Sequence, residues 1–146
     1  MIRKRIPRRD DGVIYQLVQK ELLPFAKQTL PSARISRSLL RKRLSQGVTY
    51  VETTAGRVPV GFIALIADRE RLSVDMLAVD PRYQGKGIGK RLMLYVERKA
   101  QELGLPEVTL WVDEANGRAR GFYERLGYTS IYYDPHMRCF LMRKSM

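Results

Sequence analysis

The sequence predicts an α/β fold of the α+β kind, a mixed α/β sandwich whose sheet is mostly antiparallel. Three observations predict it. The spacing of apolar residues switches repeatedly between two and about 3.6, so strands and helices alternate along the chain. Three extended runs between positions 48 and 79 follow one another with only short turns between them, which makes their pairing antiparallel. A length of 146 residues without repeats or low-complexity linkers makes one domain, 1–146, large enough to bury a core.

The elements follow in order. Residues Ile2 to Ile6 read as a first strand. Asp10 or Asp11 caps a helix with Val13, Ile14, Leu17, Val18 and Leu22 on its apolar face, ending near Pro24. From Pro24 to Ile35 the chain reads as irregular. Ser36 caps a second helix with Leu39, Leu40 and Leu44 inward, and Gly47 closes it. Val48 to Thr54 and Val60 to Ala67 form a hairpin over Ala55-Gly56-Arg57. A turn around Asp68 to Arg71 leads into a third extended run, Leu72 to Val79, which Asp80-Pro81 terminates. Ile88, Leu92, Tyr95, Val96 and Leu103 then return at helical spacing until Gly104. Glu107 to Val112 alternates Val108, Leu110 and Val112 against Thr109 and Trp111, a strand. Asn116 caps a helix with Ala119, Phe122, Tyr123 and Leu126 on one face and Gly127 at its end. Ser130 to Tyr133 and Arg138 to Arg143 close the chain as antiparallel strands around Asp134-Pro135.

Composition narrows the chemistry. No run approaches the ~20 apolar residues of a membrane span, and the basic start Ile2 to Ile6 lacks the apolar stretch of a secretory signal. Cys139 is the only cysteine, so no internal disulfide forms, which suits a reducing cytoplasm. With His136 the only histidine, no His/Cys metal site is expected, nor a Ser-His-Asp triad unless His136 serves it. The net charge of +12 is uneven: residues 1–46 hold 12 Lys/Arg against 3 Asp/Glu, and the remainder 15 against 12. That basic third reads first as a solvated face, and second as an attraction for an acidic acceptor or nucleic acid.

Chemistry concentrates between the strand at 72–79 and the helix after it, at Gln84-Gly85-Lys86-Gly87-Ile88-Gly89. A strand, a glycine turn and a helix start point unpaired N–H groups and the positive end of a helix dipole at one spot, and glycine lets a phosphate come close. A Walker loop fails because Arg91 follows Gly89-Lys90, and the dinucleotide fingerprint fails because position 90 is lysine. Gln-x-x-Gly-x-Gly does fit, at Gln84, Gly87 and Gly89. A second block follows: Asn-x-x-Ala-x-x-Phe-Tyr at 116–123, closing in Leu126-Gly127-Tyr128. Together, in this order and on these elements, the two resemble the GNAT superfamily of acetyl-coenzyme A dependent N-acetyltransferases. The resemblance is strongest from Leu72 to Tyr128.

The resemblance implies a sheet of six to seven strands flanked by about four helices, with parallel central strands that splay apart. It implies acetyl-coenzyme A as cosubstrate, no metal, and transfer to a primary amine of a small molecule or protein by direct attack in a ternary complex. By the same resemblance, Leu77, Ala78 and Val79 pair with the pantetheine arm like an added strand. Gln84, Gly85, Lys86, Gly87, Ile88, Gly89 and Lys90 hold the pyrophosphate, and Asn116 bonds the pantetheine besides capping its helix. The Leu77 amide faces the thioester carbonyl, and Tyr123 is the general acid for the leaving thiolate; its plain reading is a core aromatic beside Phe122.

For the base, Asp75 is the first choice, because counting by two puts it on the strand face of Leu77 and Val79. The alternative for Asp75 is an ion pair with an arginine. Glu52 is second, and Asp113 and Glu114 third. Cys139 reads as a small core residue, not an acyl carrier. Two other functions compete with the enzyme: a catalytically silent coenzyme A-binding regulatory domain, and a basic nucleic-acid-binding module, which no RNA-binding aromatic signature accompanies. The acceptor is not legible in the sequence, nor is the choice between monomer and homodimer.

Overall fold

In the computed structural model, which describes residues 1–146, seven strands form one sheet in the order β1-β2-β3-β4-β5-β7-β6. They are β1 (Ile2–Lys4), β2 (Val48–Thr53), β3 (Pro59–Ala67), β4 (Arg71–Val79), β5 (Glu107–Asp113), β6 (Thr129–Asp134) and β7 (Cys139–Ser145). Every neighbouring pair is antiparallel except β4 and β5, which run parallel. Connection length explains this: turns of three to five residues join β2 to β3, β3 to β4 and β6 to β7, whereas a helix intervenes between β4 and β5.

The helices are α1 (Pro7–Leu17), α2 (Leu23–Thr29), α3 (Arg37–Leu44), α4 (Ile88–Glu102) and α5 (Gly117–Arg125). α1 passes through a π-helical turn, Val18–Leu22, into α2 without leaving helical conformation, so four helical bodies flank the sheet. The expected break at Pro24 does not occur. Pro24 stands just after the π turn, whose last bond runs from the Leu23 N–H to the Val18 carbonyl, and that wider turn accommodates a ring that an unbroken α-helical ladder would exclude.

The expected cap at Asp10 or Asp11 is also corrected. The first strand stops at Lys4, Ile6 occupies the cap position, and Pro7 starts the helix. Asp10 instead lies fully buried inside the first turn, accepting two bonds from Arg3 at 2.7 and 2.9 Å and the Ile6 N–H at 2.7 Å. Burial by itself would raise its carboxyl; the Arg3 guanidinium and the Ile6 amide outweigh burial and hold it below the usual aspartate value. Its stabilisation is therefore present above the ordinary aspartate range and lost as pH falls through the depressed value. Asp10→Asn is expected to lower unfolding free energy by about 2 kcal/mol at pH 7, and by less in acid, measured by urea titration.

The sheet separates two cores. Ile63, Leu65, Leu92, Met93, Val108 and Met142 pack on the α4 and α5 side. Ile14, Leu40, Val51, Phe62 and Met76 pack on the α1 and α3 side. β4 serves both, through a break in its own alternation. Leu65 pairs with Val74 while Ala64 pairs with Met76, leaving Asp75 as an extra residue with no partner opposite. Leu72 and Val74 accordingly belong to the α4 side, but Met76 and Ala78 to the α1 side.

Candidate active site

The bulge decides the geometry. β4 pairs with β5 from Arg71↔Glu107 only as far as Val74↔Leu110, although β4 continues to Val79 and β5 to Asp113. A bulge bends its strand and sharpens its twist, and beyond Asp75 the two parallel strands separate. The edge of β4 that faces β5 then carries backbone groups with no ladder partner.

A cavity of about 550 Å³ fills the space beside this edge. Its lining includes Leu77, Ala78, Val79, Gln84, Gly85, Gly87, Ile88, Gly89, Lys90, Asn116 and Tyr123, eleven of the twelve positions at which the sequence places the coenzyme. Lys86 is the exception; its ammonium rests over the Tyr83 ring, 5.3 Å from the centroid. Gly85 and Gly87 adopt φ of +78° and +82°, a backbone that side chains resist, and this turns consecutive amides toward one point. The first helical bond of α4 in this region runs from the Arg91 N–H to the Gly87 carbonyl, so the N–H groups of residues 85–90 find no acceptor in the chain. Such a row of free amides at a helix start is an anion nest. A side chain at Gly89 would meet the Phe122 ring at 3.2 Å.

Gln84 behaves differently from the glycines after it. Its N–H already reaches the Pro81 carbonyl at 3.4 Å. Its side-chain amide donates to the Val79 carbonyl at 3.0 Å and to Glu21 Oε1 at 2.8 Å, tying the end of β4 to the π turn. Two cations escaped the sequence reading: Arg118 and Arg125 line the same cavity and pair with no carboxylate. Their spacing of seven, with Phe122 between, marks one face of α5, but only the fold reveals what that face meets.

A second cavity, of about 590 Å³, lies between the π turn, α2, the following loop and the separated strands. Leu22, Leu77, Asn116, Ala119 and Tyr123 line both cavities, so these residues mark where the two meet. Tyr123 is 8% exposed, and burial alone lifts its phenol above the ordinary tyrosine value, keeping it protonated at neutral pH. Asn116 Oδ1 accepts the Ala119 N–H at 3.1 Å, the expected cap of α5.

The candidate bases separate cleanly. Asp75 lines the second cavity but does not share the face of Leu77, since counting by two fails across the bulge. Its carboxylate is held by Arg43 of α3 through bonds of 2.8 and 3.1 Å, the ion-pair alternative. Glu52 lines neither cavity and is clamped between Arg91 at 2.8 Å and the chain's N-terminal amine at 3.2 Å. Glu114 also lines neither, and binds the Tyr133 hydroxyl and Arg138. Asp113 does line the second cavity, and its carboxyl is raised by burial with no partner to oppose it. Cys139 is there too; burial first, then Asp134 and Asp113, raise its thiol and keep it protonated, a poor nucleophile.

No three His, Cys, Asp or Glu side chains converge as a metal ion would require, and no helix is long and apolar enough to cross a membrane. Of the 12 Lys and Arg before position 47, only Arg3, Arg5 and Arg43 pair with a carboxylate, which leaves a strongly cationic surface on the α1–α3 side.

Comparison with known proteins bears on the fold and the family. A mycothiol acetyltransferase of Propionibacterium freudenreichii is 38% identical over 104 residues, 64% of this chain and 33% of that protein. The chain thus spans about a third of the length of that curated relative, and less of others with the same name. Among solved structures, Ard1 from Thermoplasma volcanium superposes with a TM-score of 0.82 at 24% identity, covering 100% of this chain and 97% of its own. PaiA N-acetyltransferase from Thermoplasma acidophilum, in complex with coenzyme A, gives 0.77 at 21% identity, covering 100% and 99%. These two likenesses speak for the fold. Residues 14–128 match the model of the acetyltransferase (GNAT) family, and the chain belongs to that family of acetyl-coenzyme A dependent acyltransferases.

Proposed function

We infer that this protein transfers an acetyl group from acetyl-coenzyme A to a primary amine by direct attack in a ternary complex. One observation carries the reading: two cavities meet at Leu77 and Tyr123, so a donor and an acceptor can reach each other from opposite sides of the separated strands. The residues of the first cavity fit the coenzyme. Free amides from Gly85 to Lys90 suit its pyrophosphate, Arg118 and Arg125 add positive charge, and the unpaired edge of Leu77, Ala78 and Val79 suits its amide-bearing arm. When bound, acetyl-coenzyme A supplies the acetyl group already activated as a thioester.

The protein's own groups then manage the protons. An alkylamine with a lysine-like pKa is only about one part in a thousand neutral at pH 7, a barrier of roughly 4 kcal/mol that a nearby carboxylate lowers. Asp113 takes this role, directly or through one water, because it is the unpaired carboxylate of the acceptor cavity. It accepts the proton the amine sheds as the N–C bond forms. The Leu77 amide donates to the carbonyl oxygen as its negative charge grows. Tyr123 Oη gives a proton to the sulfur as the C–S bond breaks, consistent with its protonated state. Asp75, fastened to Arg43, shapes the acceptor cavity without moving a proton.

Relatives named as acetyltransferases and a structural neighbour holding coenzyme A support both donor and reaction. The test is calorimetric titration with acetyl-coenzyme A followed by thiol release in the presence of primary amines. Thiol release matched mole for mole by acetylated amine is the expected result. Tight coenzyme binding with no amine acetylated would leave a silent coenzyme-binding domain instead.

A further inference from the structure

We propose that the acceptor is a singly charged primary amine carried on an apolar body, an alkyl or aralkyl amine, and not a polyamine or sugar amine. The inference rests on the acetyl-transfer reading and concerns the second cavity. Its walls are apolar over most of their extent, built by Leu22, Leu23 and Ala26 of the helical rod, Ile35 of the loop, and Trp111 and Met137 opposite. Besides Tyr123 and Cys139, six lining residues bear polar side chains, and four of the six are already committed. Asp75 and Arg43 neutralise each other. Asn116 caps α5. Asp134 accepts the N–H groups of His136 and Met137 at 2.9 and 3.1 Å. Asp113 is the one carboxylate with no partner inside the cavity, the Tyr123 hydroxyl is kept for the leaving sulfur, and Arg34 stands exposed at the edge.

That inventory matches one ammonium and no more. The ammonium that must lose a proton to Asp113 has a counterion; a second one would face apolar walls and the Arg34 cation. A sugar's hydroxyls would outnumber the acceptors left open there, the Asp113 carboxylate and the unpaired backbone where the strands separate, which is costly for every group left unbonded. Methylene groups gain from the same surfaces.

The n-alkylamine series from propyl to hexyl reads this directly, since charge and basicity stay constant while apolar length grows. Expected is a rise in kcat/KM of about four-fold per methylene, the factor that corresponds to burying one CH₂. Dissociation constants measured by calorimetry without acyl donor should fall by a similar factor. 1,6-Diaminohexane should be at least about ten-fold poorer than hexylamine, because its second ammonium is unpaired. The exposed Met137→Glu variant adds a carboxylate at the cavity edge and should narrow that preference by about two- to five-fold. A flat series, a diamine equal to hexylamine, or an unchanged preference in Met137→Glu would overturn the inference. Should no amine be acetylated while alkylamines still bind with the predicted slope, the acetyl-transfer reading falls and the cavity assignment stands.

Discussion

Replacing Tyr123 by phenylalanine is expected to lower kcat by about 10²- to 10³-fold while leaving acetyl-coenzyme A affinity within about two-fold. The substitution removes one oxygen from a ring that is otherwise packed, edge-on to Phe122 and Tyr128 at centroid distances of 5.1 and 6.1 Å. That hydroxyl makes no hydrogen bond within the chain, so its loss orphans no buried group and the fold should keep its melting temperature. A structural tyrosine would predict the reverse pattern, unchanged turnover and lower stability. Steady-state kinetics beside a thermal melt distinguishes the two, and turnover within a factor of three of the native protein removes Tyr123 from the acid role.

Asp113→Asn is expected to reduce kcat/KM by about 10²-fold at neutral pH. The pH dependence supplies the sharper evidence. Burial raises this carboxyl, so in the native protein the acidic limb of kcat/KM lies above the ordinary aspartate value, and activity is lost as pH falls through it. The asparagine variant should lose that limb and regain rate toward about pH 10, where a free alkylamine deprotonates unaided. A carboxyl raised by burial opposes folding in its charged form, so the variant should be no less stable than the native chain. Asp75→Asn separates the alternatives: it breaks the Arg43 pair and should change acceptor KM more than the shape of the pH profile.

Residues that act through local backbone geometry were legible in the sequence. The strand at 72–79, the glycine turn, Asn116 as a cap and the helix bearing Tyr123 all follow from spacing and turn chemistry, and the fold bears each of these elements. What escaped was set by tertiary context. Pro24 reads as a terminator, but the π turn just before it widens the helix enough to carry the ring onward. Asp10 has the residue type of a cap, yet Pro7 starts the helix three residues sooner and turns Asp10 inward onto Arg3. Alternation puts Asp75 on the face of Leu77 only in a regular strand, and nothing in Ser-Val-Asp-Met announces an irregular one. Arg118 and Arg125 sit in a sequence already rich in arginine, and only the approach of α5 to the glycine turn singles them out.

The supernumerary residue in β4 has a consequence for how such a domain could arise or be disabled. With Asp75 removed, Val74 and Met76 would be adjacent opposite Leu65 and Ala64, every side chain from Met76 to Val79 would keep its face, and two parallel neighbours could run hydrogen-bonded along their shared length. The result would be a sound piece of architecture, rich in the same residues, with nowhere to admit a ligand. Capacity for chemistry here is stored as a count of residues along a single strand, and an insertion or deletion there would matter more than most exchanges of one side chain for another.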